Sequence, residues 1–176
     1  MTDWLALLGE SVEAFNRYRA AHPDQPVSLA GADLERRNLA GIDLHGADLV
    51  GVNICWGNLQ NANLEAADLR RSRLEGCDLT GARLDGAKLE YTTFRTATLA
   101  HASLRGITMK AGVFSLSNLK GASLHGADLR RVSFCDADLT DAVFDGADLR
   151  EADLRWAKYK VDDMLRADMR GARIRD

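Results

Sequence analysis

Residues 146–159 read GADLREADLRWAKY, and within them Leu149, Leu154 and Tyr159 put a large ring or aliphatic side chain at every fifth position. A helix presents one face about every 3.6 residues and a strand every 2, so a strict interval of five fits neither element. The chain must turn at a fixed interval. Followed outward in both directions, the register runs without a break from Leu29 to Ile174, thirty pentads centred on Leu, Ile, Phe, Met or Tyr. Repeats on this scale signal a structure that stacks short units rather than one that folds around a single centre.

The other phases of the pentad give each unit its shape. Two residues before the centre the side chain is mostly small, as at Ala32, Ala47, Ala62, Cys77 and Ala82, with Gly57 and Gly112 smaller still, so a small and a large residue point inward together. Just before the centre stand Asp43, Asp48, Asp68, Asp78, Asp128 and Asp148, whose carboxylates can accept hydrogen bonds from nearby corner amides. Two after the centre stand twelve of the fifteen glycines, among them Gly31, Gly81, Gly121 and Gly146. Glycine at one phase marks a turn residue with positive φ, as in the third place of a type II turn. Corners carrying Trp56, Arg71, Tyr91, Arg131 or Trp156 in that place are expected to adopt another turn, because a β-carbon disfavours positive φ.

Residues stacked in successive coils should resemble each other at the coil period. Phe94, Phe114 and Phe134 recur at twenty, and Cys55 with Cys135, His45 with His125 and Trp56 with Trp156 are separated by multiples of twenty but not of fifteen. Four pentads per coil therefore fit better than three, and the three phenylalanines should form one inward stack with ring centroids about 4.5–7 Å apart.

The A(D/N)LxG pattern over residues 27–176 resembles the pentapeptide-repeat family. The resemblance implies an all-β solenoid, a right-handed quadrilateral β-helix of about 7.5 coils, roughly 36 Å tall at about 4.8 Å per coil. Arg37 and Asp162 depart from the pattern, since both occupy small, inward positions, and local opening is expected at each. Residues 1–26 lie outside the repeats. There Trp4, Leu8, Val12 and Phe15 follow helical spacing, so an amphipathic α-helix capping the solenoid at its N-terminal end is expected, with residues 27–176 as one repeat domain.

Composition narrows the function. With 46% hydrophobic residues, two prolines and a net charge of −3, the chain is neither disordered nor strongly basic. Asp3, Glu10 and Glu13 interrupt the leading apolar residues, which argues against a signal peptide or membrane helix. Three cysteines suit a reducing cytoplasm: Cys77 should face inward, and Cys55 and Cys135 outward, too far apart for a disulfide. His45 and His125 share a column four coils apart and cannot chelate one metal; His101 sits on another corner and His22 precedes the repeats. No nucleophile motif or phosphate loop is present, and no cofactor or catalytic residue is assigned.

The surface is the remaining source of function. Residues 88–131 carry Lys88, Arg95, Arg105, Lys110, Lys120, Arg130 and Arg131 against Glu90 and Asp128, a basic belt. Asp136, Asp138, Asp141, Asp145, Asp148, Glu151 and Asp153 then form an acidic ring with Arg150 alone between them. Trp56, Leu116 and Trp156 occupy corner positions on one side, where aromatic anchors for a partner would stand. The expected function is a non-enzymatic interaction scaffold for a protein partner, with those corner residues and the acidic ring as candidate contacts. The family resemblance supplies an alternative, mimicry of duplex DNA toward DNA gyrase in quinolone or toxin resistance, which needs an extended negative surface. Direct nucleic-acid binding is opposed by the net negative charge. At the far end Tyr159, Met164, Leu165, Met169 and Ile174 would leave apolar rungs open, and a homodimer through this coil is expected, against repulsion among Arg170, Arg173 and Arg175.

Overall fold

A computed structural model describes residues 3–174. From Ser28 onward the backbone climbs as a coil in which each pentad is one short extended side and one turn. Every recorded bridge is parallel and joins residues twenty apart, from Ser28 with Asp48 to Asp153 with Arg173. Four sides per coil follow directly. Three bonds tie each pentad to the one stacked on it, as when Leu59 N donates to Asp78 O at 2.7 Å, Asn61 N to Thr80 O at 3.0 Å and Asp78 N to Gly57 O at 3.0 Å. A fourth closes the corner within the pentad, as from Ala62 N to Leu59 O at 3.0 Å.

Four faces result, which we number by their central residues: the first runs through Leu49, Leu69 and Leu129, the second through Ile54, Phe94 and Leu154, the third through Leu59 and Leu139, the fourth through Leu64 and Phe144. Central residues from Leu29 to Leu154 are buried, and the preceding small residues fill the space between them. Each buried Leu or Phe contributes about 1.5–3 kcal/mol, which lets short, weakly paired sides hold together. Phe94, Phe114 and Phe134 stack on the second face, with centroids 5.0 and 5.3 Å apart and planes within 18°. Phe144 meets Phe134 edge-on at 6.2 Å.

The corners correct one expectation. Trp56, Arg71, Tyr91, Arg131 and Trp156 have φ between 57° and 62°, beside 60° to 72° at the glycines, so both sets use the same left-handed corner. Gly57 N closes the Trp56 corner onto Ile54 O at 2.9 Å, just as at glycine corners. Left-handed φ costs an L-residue roughly 1–2 kcal/mol. Changing the turn would break the bonds between coils and tilt a buried centre out of the core, which costs more.

At the N-terminal end the helical segment is two helices rather than one. Helix α1 spans Trp4–Glu10 and α2 spans Val12–Ala21. Ser11 between them is extended, and its Oγ accepts from Ala14 N at 3.0 Å, capping α2 and breaking the run that apolar spacing alone suggested. Trp4 packs on Phe15 with centroids 5.2 Å apart, and its indole N–H donates to Pro26 O at 3.2 Å. Asn16 of α2 donates to Gly41 O and accepts from Asp43 N, both at 2.9 Å, which supplies that edge with the partners a further coil would give. Arg19 adds an ion pair to Asp43 at 3.0 Å.

The two departures from the pattern differ: the coil stays closed at Arg37, against expectation, and opens at Asp162. Arg37 is exposed while its backbone still accepts from Asn58 N at 2.9 Å. At Asp162 the chain leaves the coil in a short 3-10 helix, Val161–Met164. Gly146 N consequently bonds to Arg166 O, and the twenty-residue pairing resumes at Asp148 with Asp168.

Candidate interaction surfaces

The Asx geometry explains the acidic phase. Oδ1 of Asp43, Asp48, Asp68, Asp78, Asp128 and Asp148 accepts from the backbone N–H two residues on, at 3.0–3.4 Å. These carboxylates shape corners. Where Arg follows two positions later, the same carboxylate also binds the guanidinium, as in Asp68 with Arg70, Asp128 with Arg130, Asp148 with Arg150 and Asp153 with Arg155, at 2.5–2.7 Å. The Arg155 guanidinium holds the Asp153 carboxyl at about 2, overcoming the upward push of burial.

The acidic ring is present but largely neutralised. Asp138 meets Lys158 at 3.4 Å, Asp145 meets Arg166 at 3.3 Å, Glu151 meets Arg131 at 2.7 Å, and Asp141 pairs with Lys160. Asp148 and Asp153 hold Arg150 and Arg155, with Arg173 reaching Asp153 at 3.5 Å. Apart from Arg150 and Arg155, the partners come from the coil before and the coil after, so a count along residues 136–153 misses them. Asp136 alone of the seven has no ion pair among the described residues.

Trp56, Leu116 and Trp156 stand in one column, at the corner after the second face, and are 59%, 46% and 62% exposed. Asp136 lies in the same column between the last two. The Trp56 ring lies over the next corner of that column: a β-carbon on Gly76 would stand 2.2 Å from Cε3. Trp156 receives the Arg155 guanidinium, its Cζ 5.3 Å from a ring centroid. Tyr91, 62% exposed at the corner after the first face, was not singled out as a contact in the sequence, although a tyrosine in a glycine-favoured phase was its signal.

Cys55 stands outside the apolar core, at the outward phase expected, but is covered there and only 4% exposed. It donates to Glu75 Oε2 at 2.6 Å, and burial with that bond pushes its thiol up to about 11. Cys77 is inward, donates to Ile54 O at 2.8 Å and is pushed by burial up to about 12. Both are therefore poor nucleophiles at neutral pH. Cys135 is half-buried. Among the described residues no group of His, Cys, Asp and Glu is placed to hold a metal ion, and no helix is long and apolar enough to cross a membrane.

Beyond the 3-10 detour, Tyr159, Val161, Met164, Leu165, Met169 and Ile174 line an open hollow of about 240 Å³. Val161 and Leu165 are each 72% exposed.

Comparison with known proteins places this geometry. The family description of pentapeptide repeats matches in eight copies, over residues 28–54, 47–86, 58–95, 77–115 and 117–155. The chain belongs to the pentapeptide-repeat family. Its solenoid is accordingly a right-handed quadrilateral β-helix. Among solved structures, a trypsin-treated form of QnrB1, a plasmid-mediated fluoroquinolone resistance protein, is similar with a TM-score of 0.51 and 17% identity, over 86% of this chain and 92% of that one. At that identity the likeness is one of fold. HetL, a pentapeptide repeat protein involved in heterocyst differentiation regulation in the cyanobacterium Nostoc, is 26% identical over 91% of both chains, with a TM-score of 0.34. A pentapeptide repeat protein of the Arabidopsis thaliana thylakoid lumen is 27% identical over 58% of this chain and 66% of that one, with a TM-score of 0.25. No curated protein sequence matches the chain.

Proposed function

We propose that this pentapeptide-repeat protein is a non-enzymatic cytoplasmic scaffold that binds a partner protein, with residues 1–26 as the cap of a single repeat domain over residues 27–176. The exposed column of Trp56, Leu116 and Trp156 carries the proposal. Large side chains held on a rigid frame lose little entropy on binding, and aromatic anchors dominate interface energies. The column spans five coils, roughly 24 Å, enough for an interface of ordinary size. Asp136 contributes an unpaired charge inside it. The other ring acids, Asp138, Asp141, Asp145, Asp148, Glu151 and Asp153, act first in tying coils together and only at their rims in contact.

Affinity capture from native lysate tests this reading. The bound partner should be lost in the Trp56→Ala/Trp156→Ala double variant and retained in Lys120→Glu on another face; equal capture by all three proteins would reject the column. DNA mimicry toward gyrase requires a long unpaired anionic face. Because the ring is ion-paired, gyrase supercoiling should be inhibited weakly or not at all. Strong inhibition that Asp141→Lys, Asp145→Lys and Asp148→Lys together abolish would favour mimicry instead.

The scaffold is also proposed to be a homodimer. Tyr159, Met164, Leu165, Met169 and Ile174 line an open apolar hollow that a second copy about a two-fold axis would cover. Arg170 and Arg173 flank the patch and limit how closely the copies meet; Arg175 lies outside the described residues.

A further inference from the structure

The corner after the first face carries two hollows in one line. Val50, Arg70, Arg71, Glu90 and Tyr91 line one of about 370 Å³. Lys110, Arg130, Arg131, Arg150 and Glu151 line the other, of about 140 Å³. All ten occupy the two outward phases that follow the first-face centres, so the hollows lie along the rod axis rather than across it. The basic belt expected from the sequence is thus densest on one corner.

Charge within the groove is of two kinds. Arg70, Arg130 and Arg150 lie against Asp68, Asp128 and Asp148, and Arg131 against Glu151, so these cations are already compensated. Arg71 and Lys110 make no ion pair among the described residues, and both are exposed. One further carboxylate belongs to the same lining. Glu90 Oε1 accepts from Thr108 Oγ1 at 2.9 Å, while Glu90 Oε2 is buried and has no hydrogen-bond partner among the described residues.

We propose that this groove binds an extended acidic segment of a partner protein. Carboxylates of the segment pair with Arg71 and Lys110, and its apolar residues lie on Tyr91 and Val50. A peptide fits better than a nucleic acid, because a phosphate chain has no use for the apolar surface of Val50 and Tyr91. From Val50 to Glu151 the groove spans five coils, roughly 24 Å, the length of about seven extended residues. This assignment rests on the scaffold reading but uses a different corner from the tryptophan column.

Fluorescence anisotropy tests it, with three labelled probes: an octapeptide alternating Glu and Leu, its Lys and Leu counterpart, and a single-stranded oligothymidine. The acidic peptide should bind, more weakly as salt rises. Arg71→Glu/Lys110→Glu should weaken it by about tenfold or more, and Lys120→Glu on the third face by less than about twofold. Circular dichroism verifies folding; if the double variant does not fold, Lys110→Gln alone carries the comparison, with a loss of at least about threefold expected. No binding of the acidic peptide, binding that ignores the substitutions, or tighter binding of the oligothymidine would overturn the proposal. Peptide binding lost in Arg71→Glu/Lys110→Glu while that variant still captures the native partner would locate the partner on the column and support the groove's chemistry; failure of the capture assay would overturn the scaffold reading alone.

Discussion

At the residue scale, the pentad is a set of matched substitutions. Gly112 sits where most pentads have Ala, and the reason is its centre: a β-carbon there would stand 2.3 Å from Cε and 2.5 Å from Cγ of Met109. Glycine makes room for methionine. Gly112→Ala should therefore destabilise by about 1–3 kcal/mol, whereas Met109→Leu/Gly112→Ala, which restores the commonest pairing, should recover most of that loss. A urea-denaturation double-mutant cycle measures the coupling, and additive effects would contradict the contact. Carboxylates obey the same local logic. Asp153 is held at about 2, below the roughly 3.9 of an unfolded chain, so its stabilising effect is complete above pH 4 and disappears as pH falls through 2. Thermal unfolding followed from pH 7 to pH 2 should show this loss, and Asp153→Asn should lower stability at neutral pH by about 1–2 kcal/mol while flattening the acid slope.

At the element scale, a solenoid has two ends to satisfy and a stack to keep in register. Asn16 stands in for a missing coil by pairing with both Gly41 O and Asp43 N. Asn16→Ala should cost about 1–3 kcal/mol, and the loss should appear first as faster hydrogen exchange in the first coil rather than uniformly, because repeats unfold through neighbour contacts. Exchange that accelerates equally in all coils would show that the cap stabilises the rod as one unit. The four-sided register was legible from Phe94, Phe114 and Phe134 alone, since identical rings at a shared phase can stack only if the coil closes in twenty residues. The break between α1 and α2 was less legible: Trp4, Leu8, Val12 and Phe15 keep one helical stripe across it, and the capping role of Ser11 competes with that stripe.

At the scale of the whole molecule, the apolar hollow beyond the 3-10 detour sets the expected assembly. Light scattering at micromolar concentration should give twice the monomer mass, and Met169→Asp or Ile174→Asp should reduce it to the monomer mass; a monomeric native protein would rule out the dimer. Charge changes meaning at this scale too. Residues 136–153 read as an acidic ring, yet Arg130 and Arg131 from the preceding coil and Lys158, Lys160 and Arg166 from the following one stand against it.

The amino-acid sequence determined whatever depends on period: the pentad, the four faces, the inward stack and the corner-forming role of Asp43, Asp68 and Asp148. Each of these is a contact between residues at a fixed separation, so it repeats often enough to be read. Only the tertiary structure decided what depends on competition between coils. It kept Trp56 and Tyr91 in the left-handed corner that glycine prefers, because the coil bonds outweigh a strain of roughly 1–2 kcal/mol. It buried Cys55 against Glu75, cancelled most of the acidic ring, and gathered Arg71, Glu90 and Lys110 along one corner, since those outcomes depend on which side chain lies above or below and not on which lies beside it in the chain.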